Sequence, residues 1–373
     1  MPIRTVLLVV ALVAAGCASS AASETTSPPV TPAPETAAVT ETDDVSGELA
    51  DSGDATTDDE TEPEEQGSEN EASAAGSSLT VNSDIPEGIP EILHAAYAPD
   101  APRAFNGRVI PVSANSATEA AELFTAVERA LRVDGLSAEA YADLGHTEQL
   151  VIRTLIRNED WIPEFIAAVP EDLRPFAELH IEARQQLAAH VGDAPPGENV
   201  PPWQIIDPAP ADELVAFYQS AGEQTGIDWE VLAGVNLVET VIGRIDGISS
   251  AGAQGPMQFL PTTWPEVSQG GDVHDPSDAI HGAARYLVQR GGLDDINAGL
   301  WGYNNSPEYG FAVLAYAEML MLDERAFRGI YNWEVYVGSV EGLLWLPVGF
   351  STPERFPAAD YVAENPWVRT LEQ

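Results

Sequence analysis

From Ile85 onward the chain alternates between apolar residues at helical spacing and short breaks rich in Pro and Gly. Ile89, Ile92, Leu93 and Tyr97 recur at that spacing within 86–98, which predicts a short helix. A proline-containing loop follows over 99–112. Residues 117–131 then place Ala120, Phe124, Val127 and Leu131 on one face. The stretch 137–158, opening on Ser137 and Glu139 and carrying Leu150, Ile152, Leu155 and Ile156, predicts another helix, and 161–169 and 173–191 complete a mainly helical set. No alternation in this part is strong enough for a sheet, and no constellation in it points to chemistry. The Pro-rich segment 192–210 marks a boundary. Beyond it, helices are predicted over 212–226, from Trp229, and over 276–290 with Asp275 as N-cap, 296–302 and 310–322. Residues 333–346 change period and read as two strands joined by a Gly-flanked turn.

Composition alters this picture at the N-terminus. Residues 18–84 hold Ser, Thr, Ala, Pro, Asp and Glu with no basic residue and almost no large apolar one. Such a segment cannot bury enough surface to offset its ordering entropy, which predicts a disordered acidic tether. Before it, Arg4 and the apolar run 6–15 read as a signal-peptide core, too short for a comfortable membrane span. Residues 12–17, LVAAGC, are similar to a bacterial lipobox in which Cys17 is lipidated, with Ala14 where leucine is commoner; the alternative is a plain secretory signal. Four regions follow: a lipoprotein signal over 1–17, the tether over 18–84, a helical accessory region over 85–200 and a catalytic domain over 201–373. On either reading of the signal the protein leaves the cytoplasm, and the lipidated form is held at the cell membrane. The net charge is -44 and no lysine occurs, so nucleic acid is excluded as a partner for want of clustered cations. A single cysteine rules out an intramolecular disulfide.

Candidate chemistry centres on 228–258, DWEVLAGVNLVETVIGRIDGISSAGAQGPMQ. Asp228 is a plausible N-cap, and Leu232, Val235, Asn236 and Glu239 share one face of the helix it opens. The opposite side, with Ala233 and Leu237, is apolar too, so the helix is expected to be enclosed all round. Desolvation raises a carboxyl pKa, and a general acid must keep its proton near neutral pH. The Gly- and Ser-rich loop after it, with a new element opening at Pro256, offers backbone to a sugar and the amide of Gln258. Residues 300–306, LWGYNNS, bring aromatic faces and amides together. The six histidines are scattered, with no helical pair at metal-ligand spacing; His180, His190 and His281 read as ordinary groups on helices.

This combination resembles the lytic murein transglycosylases of the membrane-bound B type, whose catalytic domain is similar to goose-type lysozyme. The likeness covers about 201–321 and, more weakly, 335–349. Glu239 falls on the family's catalytic glutamate. Ser249, Gly252, Ala253, Gly255, Met257 and Gln258 match the loop S-x-x-G-A-x-G-x-M-Q, and Tyr303-Asn304 matches the pair of the saccharide cleft. Thr240 stands where serine is usual and Gly302 where alanine is commoner. The resemblance implies a lysozyme-like, mainly α domain with a small C-terminal hairpin, catalysis by Glu239 alone, and substrate binding by Ser249, Gln258, Tyr303 and Asn304. The implied partners are peptidoglycan glycan strands and, through the lipid anchor, the membrane; which cell-wall synthesis or division proteins it meets stays open. No cofactor is implied. Residues 270–274 are too short and too poor in carboxylates for the calcium loop of some relatives, so no metal is expected. A hydrolytic muramidase on the same fold and a non-catalytic wall-binding lipoprotein are the competing readings.

Overall fold

A computed structural model describes residues 85–368. The signal segment with Cys17 and the acidic tether lie outside the described residues. The described fold is mainly helical, with three small antiparallel strand pairs. A 3-10 turn, Glu91–Tyr97, precedes α1 (Ala117–Leu131), α2 (Ala138–Arg157), α3 (Ile162–Ala168) and α4 (Arg174–Val191). The first two helices start where they do because Ser116 accepts from the Glu119 N–H and Ser137 from that of Ala140. Strands β1 (Asn199–Val200) and β2 (Gln204–Ile205) lie in the Pro-rich segment. Then come α5 (Ala211–Thr225), α6 (Trp229–Thr240), β3 (Ile245–Asp246), α7 (Trp264–Val267), α8 (Pro276–Gln289), α9 (Ile296–Tyr303), α10 (Pro307–Leu322) and α11 (Phe327–Tyr331). The hairpin strands β4 (Val335–Ser339) and β5 (Gly342–Leu346), then β6 (Phe356–Pro357) and α12 (Ala358–Glu364), complete the chain.

Three local expectations differ from what is found. Helix α10 begins at Pro307, three residues earlier than the apolar pattern indicates, because Ser306 accepts from the Tyr309 N–H and proline suits the first helical position. No helix opens at Pro256; a turn there is closed by reciprocal Gln254 and Phe259 backbone bonds of 2.9 Å. Asp228 occupies the N-cap of α6 but its side chain makes no capping bond. Asp275, by contrast, caps α8 by accepting from Asp278 N–H. The pairs β1–β6 and β2–β3 span two residues per strand, too few to leave a period in the sequence.

One apolar core runs from Ile89 to Val368, and α10 packs against both α4 and α6. Burial extends to the polar side of α2. Gln149 donates to the Glu334 carbonyl at 2.8 Å and accepts from its N–H at 3.0 Å, satisfying the hairpin's backbone as a strand would. Arg108 bridges Asp143 on α2 to Glu334 at 3.1 and 3.3 Å. Deeper, Glu128 of α1 and Glu148 of α2 form a buried carboxyl pair beside His180 of α4. Arg132 bonds to Glu128, and Trp333 Nε1 donates to Glu148 at 2.8 Å. Burial and the Glu148 charge push Glu128 up to about 8, so the pair holds a proton between them and Arg132 balances the remaining charge. Among the described residues no helix is long and apolar enough to cross a membrane.

The crossing of α6 with α10 has no room to spare. A Cβ on Gly234 would stand 2.8 Å from the Val313 carbonyl oxygen and 3.2 Å from Val313 Cγ1. Backbone cannot yield as a flexible side chain can, so Gly234→Val is expected to destabilise the fold by about 1–3 kcal/mol, read as a lowered Tm. An unchanged Tm would contradict this packing.

Candidate active site

Residues Val231–Thr240 of α6 are all buried, and α5, α8 and α10 cover the helix. Glu239 is carried inward with it, its residue only 5% exposed. Its Oε1 accepts a 2.8 Å hydrogen bond from the hydroxyl of Tyr309, in the first turn of α10, while Oε2 has no protein partner. Burial pushes the Glu239 carboxyl up to about 8, and the Tyr309 bond acts in the opposite sense by stabilising the carboxylate. Burial and the nearby Glu239 charge hold the Tyr309 phenol well above its ordinary value, so it stays a donor. The carboxyl is thus protonated near neutral pH and oriented through one oxygen, with the other left over.

Directly after Glu239 the helix ends in a left-handed turn. Val241 and Ile242 have φ of 54° and 61°, values that β-branched residues rarely adopt and that cost about 1–3 kcal/mol each. A polar clamp holds them. Thr240 accepts from Gly243 N–H at 2.9 Å and donates to the Pro256 carbonyl at 2.6 Å, and Asn236 donates to the same carbonyl at 2.8 Å. Tyr218 in turn fixes Asn236 through Oδ1 at 2.6 Å. The hydroxyl that Thr240 shares with serine therefore fastens the 247–258 loop to the end of the acid's helix. Gly255 is required in that loop by contact as well as by its φ of 72°: a Cβ would stand 1.9 Å from the Val273 carbonyl oxygen.

A cleft of about 600 Å³ opens onto this end of α6. Glu239, Ser249 and Gln258 all line it, and Glu239 is the sole carboxyl among its lining residues. The Ser249 hydroxyl accepts from Ala253 N–H at 3.0 Å and closes the loop on itself. The Gln258 amide donates to the Gly255 carbonyl at 2.9 Å, which leaves its oxygen for a ligand. Tyr303 and Asn304 are set differently. Neither belongs to the cleft lining; Tyr303 donates to the Met257 carbonyl at 2.7 Å and stacks on Tyr309, with ring centroids 6.4 Å apart and planes 8° off parallel. Asn304 is buried, and its Nδ2 has no hydrogen-bond partner in the protein. Tyr303 thus braces both Tyr309 and the Gln258 loop. Gly302 beside them has the Arg290 side chain packed where a Cβ would be, 2.6 Å away.

The sequence reading missed Tyr309, because the apolar period of its helix starts only after it; the Ser-Pro-Glu opening at 306–308 was the available signal. It also missed a second group of lining residues. His190 at the end of α4, Trp203 and Arg355 line the cleft with Val337 and Gly338 of the hairpin. Trp203 lies flush on Gly247, where a Cβ would meet its ring at 2.2 Å. The buried trio Glu128, Glu148 and His180 has donor atoms within 4.8 Å of one another, but one carboxylate is already bonded to Arg132 and the other to Trp333, so it fits a proton-sharing network better than a metal. Comparison with models of known families, with curated proteins and with solved structures finds no match to this chain.

Two consequences can be measured. Between pH 4.5 and about 8 the folded protein keeps a proton on Glu239 that the unfolded chain has released, so this group's contribution to stability falls as pH rises through that window. Glu239→Gln retains an oxygen for Tyr309 and does not titrate. It is expected to raise Tm, little at pH 4 and by on the order of a few kcal/mol of stability at pH 8; an equal effect at both pH values would refute the buried-acid assignment. Tyr309→Phe removes the bond that favours the carboxylate. The pH at which Glu239 loses its proton, followed by NMR of its carboxyl carbon, should then move higher, and an unchanged titration would contradict the bond.

Proposed function

We propose that the protein is a peptidoglycan lytic transglycosylase that cleaves the β-1,4 bond between N-acetylmuramic acid and N-acetylglucosamine. The observation that carries the reading is a lone buried carboxyl, oriented through one oxygen by Tyr309, in a cleft whose lining holds no second carboxyl. Glycosidases that hydrolyse with two carboxylates place them on either side of the bond. A site with one acid suits a route in which the substrate supplies the second nucleophile. Protonated Glu239 donates to the glycosidic oxygen as the bond to the muramic anomeric carbon breaks. That sugar's own acetamido oxygen attacks the carbon. The Glu239 carboxylate then takes the proton of the C6 hydroxyl as this oxygen displaces the acetamido oxygen, giving a 1,6-anhydro end with no water consumed. The motif around Ser249–Gln258 and the Trp203 ring in the cleft lining support a sugar ligand. Cys17 and the acidic tether support an extracytoplasmic protein anchored at the membrane.

Mass analysis of products from purified murein tests the proposal. The expected product is an anhydro end, and Glu239→Gln should lower its rate by about 10²–10⁴-fold. A product heavier by one water identifies a muramidase instead. Full activity in Glu239→Gln, or wall binding with nothing released by the wild type, sinks the assignment.

A further inference from the structure

Several cleft residues come from outside the part of the chain that resembles a transglycosylase, and one of them is a histidine. His190, in the last turn of α4, lines the cleft with Glu239, and its Nδ1 lies 2.7 Å from Ser306 Oγ. The bonding of that hydroxyl fixes the tautomer. A serine hydroxyl has one proton to give and two lone pairs to receive. Ser306 Oγ lies 2.8 Å from Glu308 Oε2 and accepts from the Tyr309 N–H at 3.2 Å. The backbone N–H of Glu308 and the Ser306 hydroxyl hold the Glu308 carboxyl below its ordinary range, so it is ionised and can only accept. The Ser306 proton therefore points to Glu308, and the bond with His190 requires Nδ1 to be the protonated nitrogen. Burial depresses the imidazole pKa, which keeps the ring neutral at pH 7. Nε2 is then a bare lone pair. Nδ1 is taken up by Ser306 and no protein hydrogen bond engages Nε2, so Nε2 is the ring nitrogen that this cleft-lining residue has left for a ligand.

We infer that His190 is a substrate-positioning residue whose Nε2 accepts a hydrogen bond from a bound sugar, either an acetamido N–H or a ring hydroxyl. The inference rests on the reading of the cleft as a glycan site and adds that the helical region before residue 200 supplies part of it. Ser306 receives both His190 and the backbone of Tyr309, and Tyr309 holds Glu239, so acceptor and acid are mounted on one frame. The rings of His190 and Tyr309 have centroids 6.4 Å apart.

The test uses the full chain carrying Glu239→Gln, so that ligand is not turned over, and calorimetric titration with two probes, the β-1,4 tetramer of N-acetylglucosamine and that of glucose. Adding His190→Ala is expected to weaken binding of the N-acetylated tetramer by about tenfold, the effect of one lost hydrogen bond. A matching loss with the glucose tetramer assigns the donor as a hydroxyl; a loss confined to the N-acetylated probe assigns it as the acetamido N–H. His190→Gln and His190→Asn separate positioning from structure. Glutamine carries its amide oxygen to the place of Nε2 and should restore most of the affinity. Asparagine keeps a donor for Ser306 but has no atom at Nε2, and should bind as weakly as alanine. Restoration by asparagine but not glutamine, or His190→Ala titrating like its parent at unchanged Tm, overturns the inference. Failure of the parent to bind either tetramer overturns it as well. The two readings fail separately, because murein cleavage by the wild type is scored independently: anhydro products with an indifferent His190→Ala leave the activity standing and remove only this role.

Discussion

Helix α6 presents no polar face, so every side of it must be covered, and much of the fold is that cover. Helices α5, α8 and α10 lie against it, and α4 packs on α10 in turn. Enclosing an apolar helix is favourable along most of its length and unfavourable at one place, where Glu239 goes in with its neighbours. The surroundings do not neutralise that carboxyl. They give it one phenol donor and no cation, and burial is why its proton is retained. The properties asked of an acid catalyst thus follow from the packing that the helix needs in any case.

Comparison with the other buried carboxyls sharpens the point. Glu128 and Glu148 are as deeply buried as Glu239, yet Arg132, Trp333 and a shared proton account for their charge and their oxygens. Asp143 has Tyr97 and Arg108. These groups bind helices to one another and to the hairpin. Glu239 has no cation against it, and one of its oxygens is without a protein partner. In a chain of net charge -44, what sets Glu239 apart from these groups is the absence of an arginine beside it.

What could be read from the sequence follows from how far each signal reaches along the chain. The helices α1, α2, α4 and α8 were legible because each repeats its apolar face over several turns and three of them open on a Ser or Asp cap. The hairpin was legible from a change of period. Glu239, Ser249 and Gln258 were legible as local pattern, and the structure brings all three to one cleft. Tyr309 was not, because a single phenol in the first turn of a helix has no periodic signature. The polar face of α2 reads as solvated, and only the hairpin folding onto it makes it buried. His190 and Trp203 gain meaning solely from tertiary contact with residues far along the chain.

The short pair β1–β6 joins Val200 to Phe356, and Arg355, next to it, lines the cleft with His190 and the hairpin. Part of the cleft lining is therefore stitched from the end of the helical region and from the segment that carries β6. Contacts between such distant segments form late, after the local helices. The cleft is thus complete only after the segments around Val200 and Phe356 have met, a later event than formation of the helix that carries Glu239.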